Sequence, residues 1–253
     1  MKIETISDYD IREGRTEIDF PYKDGKLTAT HPFFGPYTYL NAGKQILEKN
    51  LIVPNGDEIA AFLHAAYLGP EEFTKNPQIR EISDIMTNRC LWNFNRNFYG
   101  LGGVYVVQDP EVKGRIEEPH ENQLESILND CIELNNGVRI SRDGKVRFAP
   151  KDSYRFGEHT SESFAKDGFV IASFNIDGAK QLSEVSKKFN FEPKTSGVEL
   201  GKDDKPEQRV SALKVLYDYY GGRLFVDGRI DVSSGFYAGR SRLGAGYAFG
   251  VLN

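Results

Sequence analysis

Ser233-Ser234-Gly235-Phe236-Tyr237-Ala238-Gly239-Arg240-Ser241-Arg242 is the stretch whose residue types most directly suggest chemistry. Glycine frees backbone amides, Ser233 and Ser234 add hydroxyls, and the guanidiniums of Arg240 and Arg242 suit phosphate oxygens through charge-assisted hydrogen bonds. Tyr237 and Phe236 are of the type that stacks on a nucleotide base. The competing reading is a surface loop whose arginines pair with an acidic body. A second candidate is the ladder Asn93, Asn95, Asn97. On a strand these amides share one face and can hydrogen-bond a polar ligand, a sugar or a base edge. The bland alternative is an ordinary solvent-facing strand.

Catalytic patterns are mostly excluded. The chain lacks G-x-x-x-x-G-K-[ST], H-E-x-x-H and G-x-S-x-G. Gly100-Leu101-Gly102-Gly103 leads into Val104-Tyr105-Val106-Val107 rather than a helix, so it reads as a hairpin turn and not a pyrophosphate cradle. Ser163-x-x-Lys166 and Ser211-x-x-Lys214 match S-x-x-K, but Ser163 falls in an expected loop and Ser211 in an expected strand. His31, His64, His120 and His159 are scattered singly, and His64 reads as a core histidine. Cys90 and Cys131 have no histidine pair nearby, so neither a metal site nor a cofactor is expected.

These groups belong to a chain of 253 residues with 39% hydrophobic residues, 17 Phe and 13 Tyr, enough to build a core. No apolar run reaches membrane-spanning length, and the N-terminus carries no apolar leader, so a cytoplasmic protein with reduced thiols is expected. The net charge of −5 argues against binding nucleic acid by bulk electrostatics. From Lys205 onward, however, seven Lys and Arg face four Asp and Glu. That surplus of three fits a local basic face on an acidic body, and ordinary solvated surface is the competing reading. A third of the glycines, eight of 25, lie between Tyr217 and Gly250 among short β-type runs.

Periodicity places the elements. Asp24-Gly25 marks an N-terminal hairpin, and the prolines of His31–Pro36 interrupt any element. Apolar spacing predicts three helices in 36–90, near 39–50, 59–68 and 78–89. After Cys90 the period becomes two: a strand through 91–99, its return at 104–107, and a hairpin about Asp143-Gly144. A helix is expected over 121–134 and a fully apolar strand over 169–174, the latter feeding a helix from Gly178. Residues 190–207 read as a surface loop, 209–220 as a strand, Gly221-Gly222 and Asp227-Gly228 as turns, and 247–251 as a last buried strand. The fold class is α+β: a helical part at about 36–90 packed on a mostly antiparallel sheet from residues 90–253, in one compact domain with α-rich 1–90 and β-rich 91–253 subregions. The function that fits is a binding module showing its Gly/Arg/aromatic C-terminal surface to a nucleotide, a nucleic acid or another anionic partner. An enzyme acting on a small polar substrate between the two parts is the alternative.

Overall fold

The computed structural model describes residues 10–11, 17–114, 121–134, 136–218, 221–230 and 245–252. A hairpin opens the chain: β1 (Asp10–Ile11), β2 (Glu17–Tyr22) and β3 (Gly25–Thr30) form a small antiparallel sheet. Then come β4 (Phe34–Tyr37), α1 (Tyr39–Leu47), α2 (Gly56–Leu68), α3 (Glu71–Thr74) and α4 (Pro77–Asn88). The remainder is β5 (Leu91–Gly100), β6 (Gly103–Gln108), α5 (Glu121–Ile127), β7 (Cys131–Glu133), β8 (Arg139–Ser141), β9 (Val146–Pro150), β10 (Gly157–Glu158), α6 (Ser161–Lys166), α7 (Gly168–Phe189), β11 (Glu192–Ser196), β12 (Glu207–Asp218), β13 (Gly221–Ile230) and β14 (Gly246–Ala248). The protein is α+β, as its periodicity implies.

The large sheet runs β10-β11-β13-β12-β5-β6-β9-β8-β7, with β14 joining β4 to β5. Pairing is antiparallel except between β11 and β13 and between β14 and β5. Side chains alternate across a strand, so each strand supplies two cores. One face carries Leu91, Val104, Val106, Leu213, Val215, Leu224 and Val226 against α2, α4 and α7. On the other face, Trp92, Phe94, Val210 and Ala212 pack on α1. Further along that sheet Phe98, Tyr105 and Phe148 meet Leu124 of α5. Between these last two clusters β5 is bulged: Trp92 pairs with Ala212 but Arg96 with Val210, and Phe94 takes a φ of 45°.

The 169–174 segment is helix, not strand. Asp167 caps it, accepting N–H bonds from Phe169 and Val170 at 3.0 and 3.2 Å. Its apolar character on all sides reflects burial on all sides, which a strand shares, so periodicity alone could not separate the two. Helix α7 then breaks at Asn175 (φ 62°, ψ 175°). The break leaves two carbonyls without their helical donors, and both are satisfied from the sheet. Asn95 Nδ2 donates to Ser173 O at 3.0 Å, and Arg147 Nη1 to Ala172 O at 3.2 Å. Arg147 also pairs with Asp57 in the first turn of α2 at 3.0 Å, and Asn175 Nδ2 donates to the same carboxylate at 3.3 Å. Gly56 admits this close approach, since a Cβ there would lie 1.9 Å from Ser173 O.

Five other expectations are corrected. The helix at 121–134 ends at Ile127, and after one 3-10 turn the chain becomes edge strand β7. The 190–207 loop contains β11, whose outward residues Glu192, Lys194 and Ser196 disguise a strand held in the sheet interior by β10 and β13. Asp227-Gly228 does not turn but lies within β13, where Tyr99 Oη and Phe169 press so closely that a Cβ on Gly228 would sit 2.5 Å from the hydroxyl. Gly221 and Gly222 likewise belong to β13. Gly35 and Pro36 lie inside β4 rather than breaking it.

Arg147 is 4% exposed. Replacing it with Met strands the Asp57 carboxylate and the Ala172 carbonyl together. Urea unfolding of Arg147→Met is expected to show a loss of about 3–5 kcal/mol, the usual cost of removing one partner of a buried ion pair.

Candidate functional site

Where β11 runs parallel to β13, Glu192 lies beside Arg223, Lys194 beside Phe225 and Ser196 beside Asp227. Antiparallel β12 extends two of these rows, with Lys214 beside Phe225 and Ala212 beside Asp227. Alternation puts all these side chains on the sheet face away from α7. That face opens into a cleft of about 490 Å³. Lys194, Thr195 and Ser196 of β11, the following Gly197 and Glu199, Phe156 and Gly157 by β10, and Arg223, Phe225 and Arg229 of β13 line it.

Behind Phe225 the sheet carries a buried ionic group. Lys214 Nζ lies 3.7 Å from Asp227 Oδ2 and 4.7 Å above the Phe225 ring. Asp227 Oδ1 accepts Ser196 Oγ at 2.8 Å and the Arg229 backbone N–H at 3.2 Å. Burial draws the Lys214 ammonium down from its ordinary range, and Asp227 partly restores it. Nearby Cys90 is fully enclosed, and burial pushes its thiol up to about 12. The cleft's own cations are held differently. Arg223 is flanked by Glu158 at 3.8 Å and Glu192 at 3.5 Å. The Arg229 side chain remains 55% exposed beside Asp227 at 3.4 Å. Half-buried Lys194 makes no ion pair among the described residues.

The wall at Thr195 carries a serine-protease-like set of residue types in the wrong arrangement. Thr195 Oγ1 donates to Arg155 O at 3.0 Å and meets His159 Nε2 at 2.9 Å, which assigns the proton to Nε2. Asp167 Oδ2 approaches that same nitrogen, at 4.0 Å, while Nδ1 has no hydrogen-bond partner among the described residues. A catalytic base needs its carboxylate on the opposite nitrogen from the nucleophile. Thr195 is 1% exposed besides, so this trio secures the wall.

The sequence candidates fall in two places. Ser233, Ser234, Tyr237, Arg240 and Arg242 lie outside the described residues, between β13 and β14. Asn93, Asn95 and Asn97 are buried beneath α7, away from the cleft. Asn95 caps the helix break, and Asn97 Nδ2 donates to Ser211 Oγ at 2.7 Å, which also fixes Ser211 in the core. Ser163 sits on short helix α6, in a capping box with Thr160. His64 is half-buried and pairs with Glu184 at 2.8 Å rather than entering the core. The cleft residues Lys194, Ser196, Arg223, Phe225 and Arg229 escaped sequence reading. The two-residue alternation in Glu192-Pro-Lys194-Thr-Ser196 and Arg223-Leu-Phe225-Val-Asp227 was the available signal.

No protein-family pattern matches the chain, and no curated protein does. Among solved structures, one described as accommodating massive sequence variation in Nanoarchaeota by the C-type lectin fold aligns over 88% of this chain and 96% of its own. The two share 13% identity at a TM-score of 0.43. The site is therefore read from its own chemistry. No helix among the described residues is long and apolar enough to cross a membrane.

Two measurements check this electrostatic picture. Cys90 and Cys131 are free thiols, the first enclosed and the second half-buried on edge strand β7. A thiol reagent is expected to label one group rapidly in the native protein and two after denaturation. The second measurement concerns Asp167, whose carboxyl burial pushes up to about 6 against three backbone N–H bonds. A raised carboxyl stabilises the fold below its unfolded value of 3.8, and that stabilisation is lost as pH rises through about 6. His159, lowered by burial, acts in the opposite direction. Relative to Asp167→Asn, the native chain is expected to lose on the order of 2–3 kcal/mol between about pH 3.5 and about pH 7.

Proposed function

We propose that this protein is a non-catalytic binding module that receives an anionic or phosphate-bearing partner at the β11–β13 cleft. The observation that carries this reading is a half-buried lysine and an exposed arginine, Lys194 of β11 and Arg229 of β13, lining one cavity. Cations in a concave site with low-dielectric walls attract anions more strongly than the same cations on a flat surface. The titratable groups around the cleft support binding over catalysis: His159 and Asp227 are both occupied by structural bonds. Strand β13, which supplies Arg223, Phe225 and Arg229, continues directly into the Gly/Arg/aromatic stretch with Ser233, Ser234, Tyr237, Arg240 and Arg242. That stretch forms the second part of the proposed surface.

Calorimetric titration with pyrophosphate tests the reading. Each lost charge-assisted bond costs about 1.5–3 kcal/mol, roughly a 10- to 150-fold loss of affinity. The doubles Lys194→Ala with Arg229→Ala, and Arg240→Ala with Arg242→Ala, are each expected to weaken binding by at least about tenfold while changing stability by about 0.5 kcal/mol or less per site. Affinity falls as salt rises. Pyrophosphate affinity that ignores both doubles refutes the proposal.

A further inference from the structure

Size, charge layout and one aromatic wall narrow the class of ligand. Resting on the reading above, we infer that the cleft selects a small organic anion, one compact phosphate or carboxylate head joined to an aromatic body, and turns away extended polyanions such as nucleic acid. The volume of about 490 Å³ suits one small molecule; ligand pockets of that kind span roughly 300–1,000 Å³. Charge is layered across it. The cations Lys194, Arg223 and Arg229 line the cavity together with Glu199, while Glu158 pairs across from Lys194 and Glu192 across from Arg223. Glu158 and Glu192 are each 62% exposed. One compact head at Lys194 and Arg229 leaves these exposed carboxylates to solvent. A polymer strand that placed one phosphate inside would lay its neighbours against them, and like charges so placed oppose binding. The chain's net charge of −5 adds to that opposition.

The body is recognised by Phe156. Its ring packs on the Gly197 backbone, where a Cβ would come within 2.1 Å of it, and contacts Tyr99, Tyr154 and Phe169. These neighbours fix the ring at the cleft wall while leaving it half exposed to the cavity. Phe225 is unsuited to the same task, being nearly buried with one face under the Lys214 ammonium. The head therefore belongs at Lys194 and Arg229 and the body along Phe156.

Calorimetry with inorganic phosphate, phenyl phosphate and a 12-nucleotide oligothymidylate separates the outcomes, with acetate and benzoate as the carboxylate pair. Phenyl phosphate is expected to bind at least tenfold tighter than inorganic phosphate, and Phe156→Leu to erase that advantage while sparing inorganic phosphate. The oligonucleotide is expected to bind no tighter than phenyl phosphate, and to gain severalfold when Glu158→Gln and Glu192→Gln are combined. Benzoate exceeding acetate in the native protein reads out the aromatic wall even if Phe156→Leu fails to fold; whichever aryl ligand is tighter tells phosphate from carboxylate heads. An aryl group that adds nothing in either pair, or an oligonucleotide that outbinds phenyl phosphate, overturns the inference while leaving the anion site standing. Absence of all anion binding instead removes the site itself.

Discussion

The buried pair of Arg147 and Asp57 is the interaction on which the architecture turns. It joins β9 to the first turn of α2, and through Ala172 O and Asn175 it holds the broken middle of α7 between them. The first half of α7 thus ends with its carbonyls directed at a guanidinium and close to the start of α2. Partial negative charge at one helix end meets partial positive charge at the other, an arrangement that dipole electrostatics favour. A straight α7 would leave Asn95 Nδ2 and Arg147 Nη1 without the carbonyls they now reach. Break, amide and ion pair are conditions of one another.

From that anchor the two faces of the sheet acquire different tasks. The face on α2, α4 and α7 is apolar at Leu213 and Val215 of β12 and Leu224 and Val226 of β13, and it supplies burial that stabilises the fold. Freed from that duty, the opposite face of β11–β13 carries Lys194, Ser196, Arg223, Lys214 and Asp227. A buried ammonium and carboxylate add little net stability compared with an apolar pair of equal size. What they do supply is a fixed register of charge behind Phe225, so that the exposed groups in front are set by neighbouring strands rather than by a loop.

Much of this was legible in the chain. Helices α1, α2 and α4, the β5–β6 and β8–β9 hairpins and strand β12 follow from period and turn residues alone. A short run that is apolar at every position gives no such period. Phe169–Phe174 reads equally as strand or helix, and only the Asp167 cap decides it. Gly228 looks like a turn because glycine permits one, yet there it makes room for Tyr99 and Phe169. Asn93, Asn95 and Asn97 look solvent-facing because amides usually are; yet Asn95 meets a carbonyl at a helix break 78 residues away and Asn97 meets Ser211 and Gly228, which no local pattern encodes. The cleft was hidden for a related reason: its strands β11 and β13 pair in parallel, and parallel neighbours must come from distant sequence.

The closing strand also binds the chain's ends together. Thr30 N donates to Gly250 O at 2.9 Å, Gly250 N to Thr30 Oγ1 at 2.9 Å and Leu252 N to Thr28 O at 3.1 Å, while Val251 bridges to Ala29 and Ile52. Thr28, Ala29 and Thr30 therefore find these partners only after some 220 more residues have been added. Until then β3 keeps an unpaired edge, and Phe33 and Phe62 lack Phe249, the ring that covers them. Contacts so distant in sequence slow folding and lengthen the time an edge is open to wrong partners. Strand β3 must thus remain unfinished on that side until some 220 further residues have followed it.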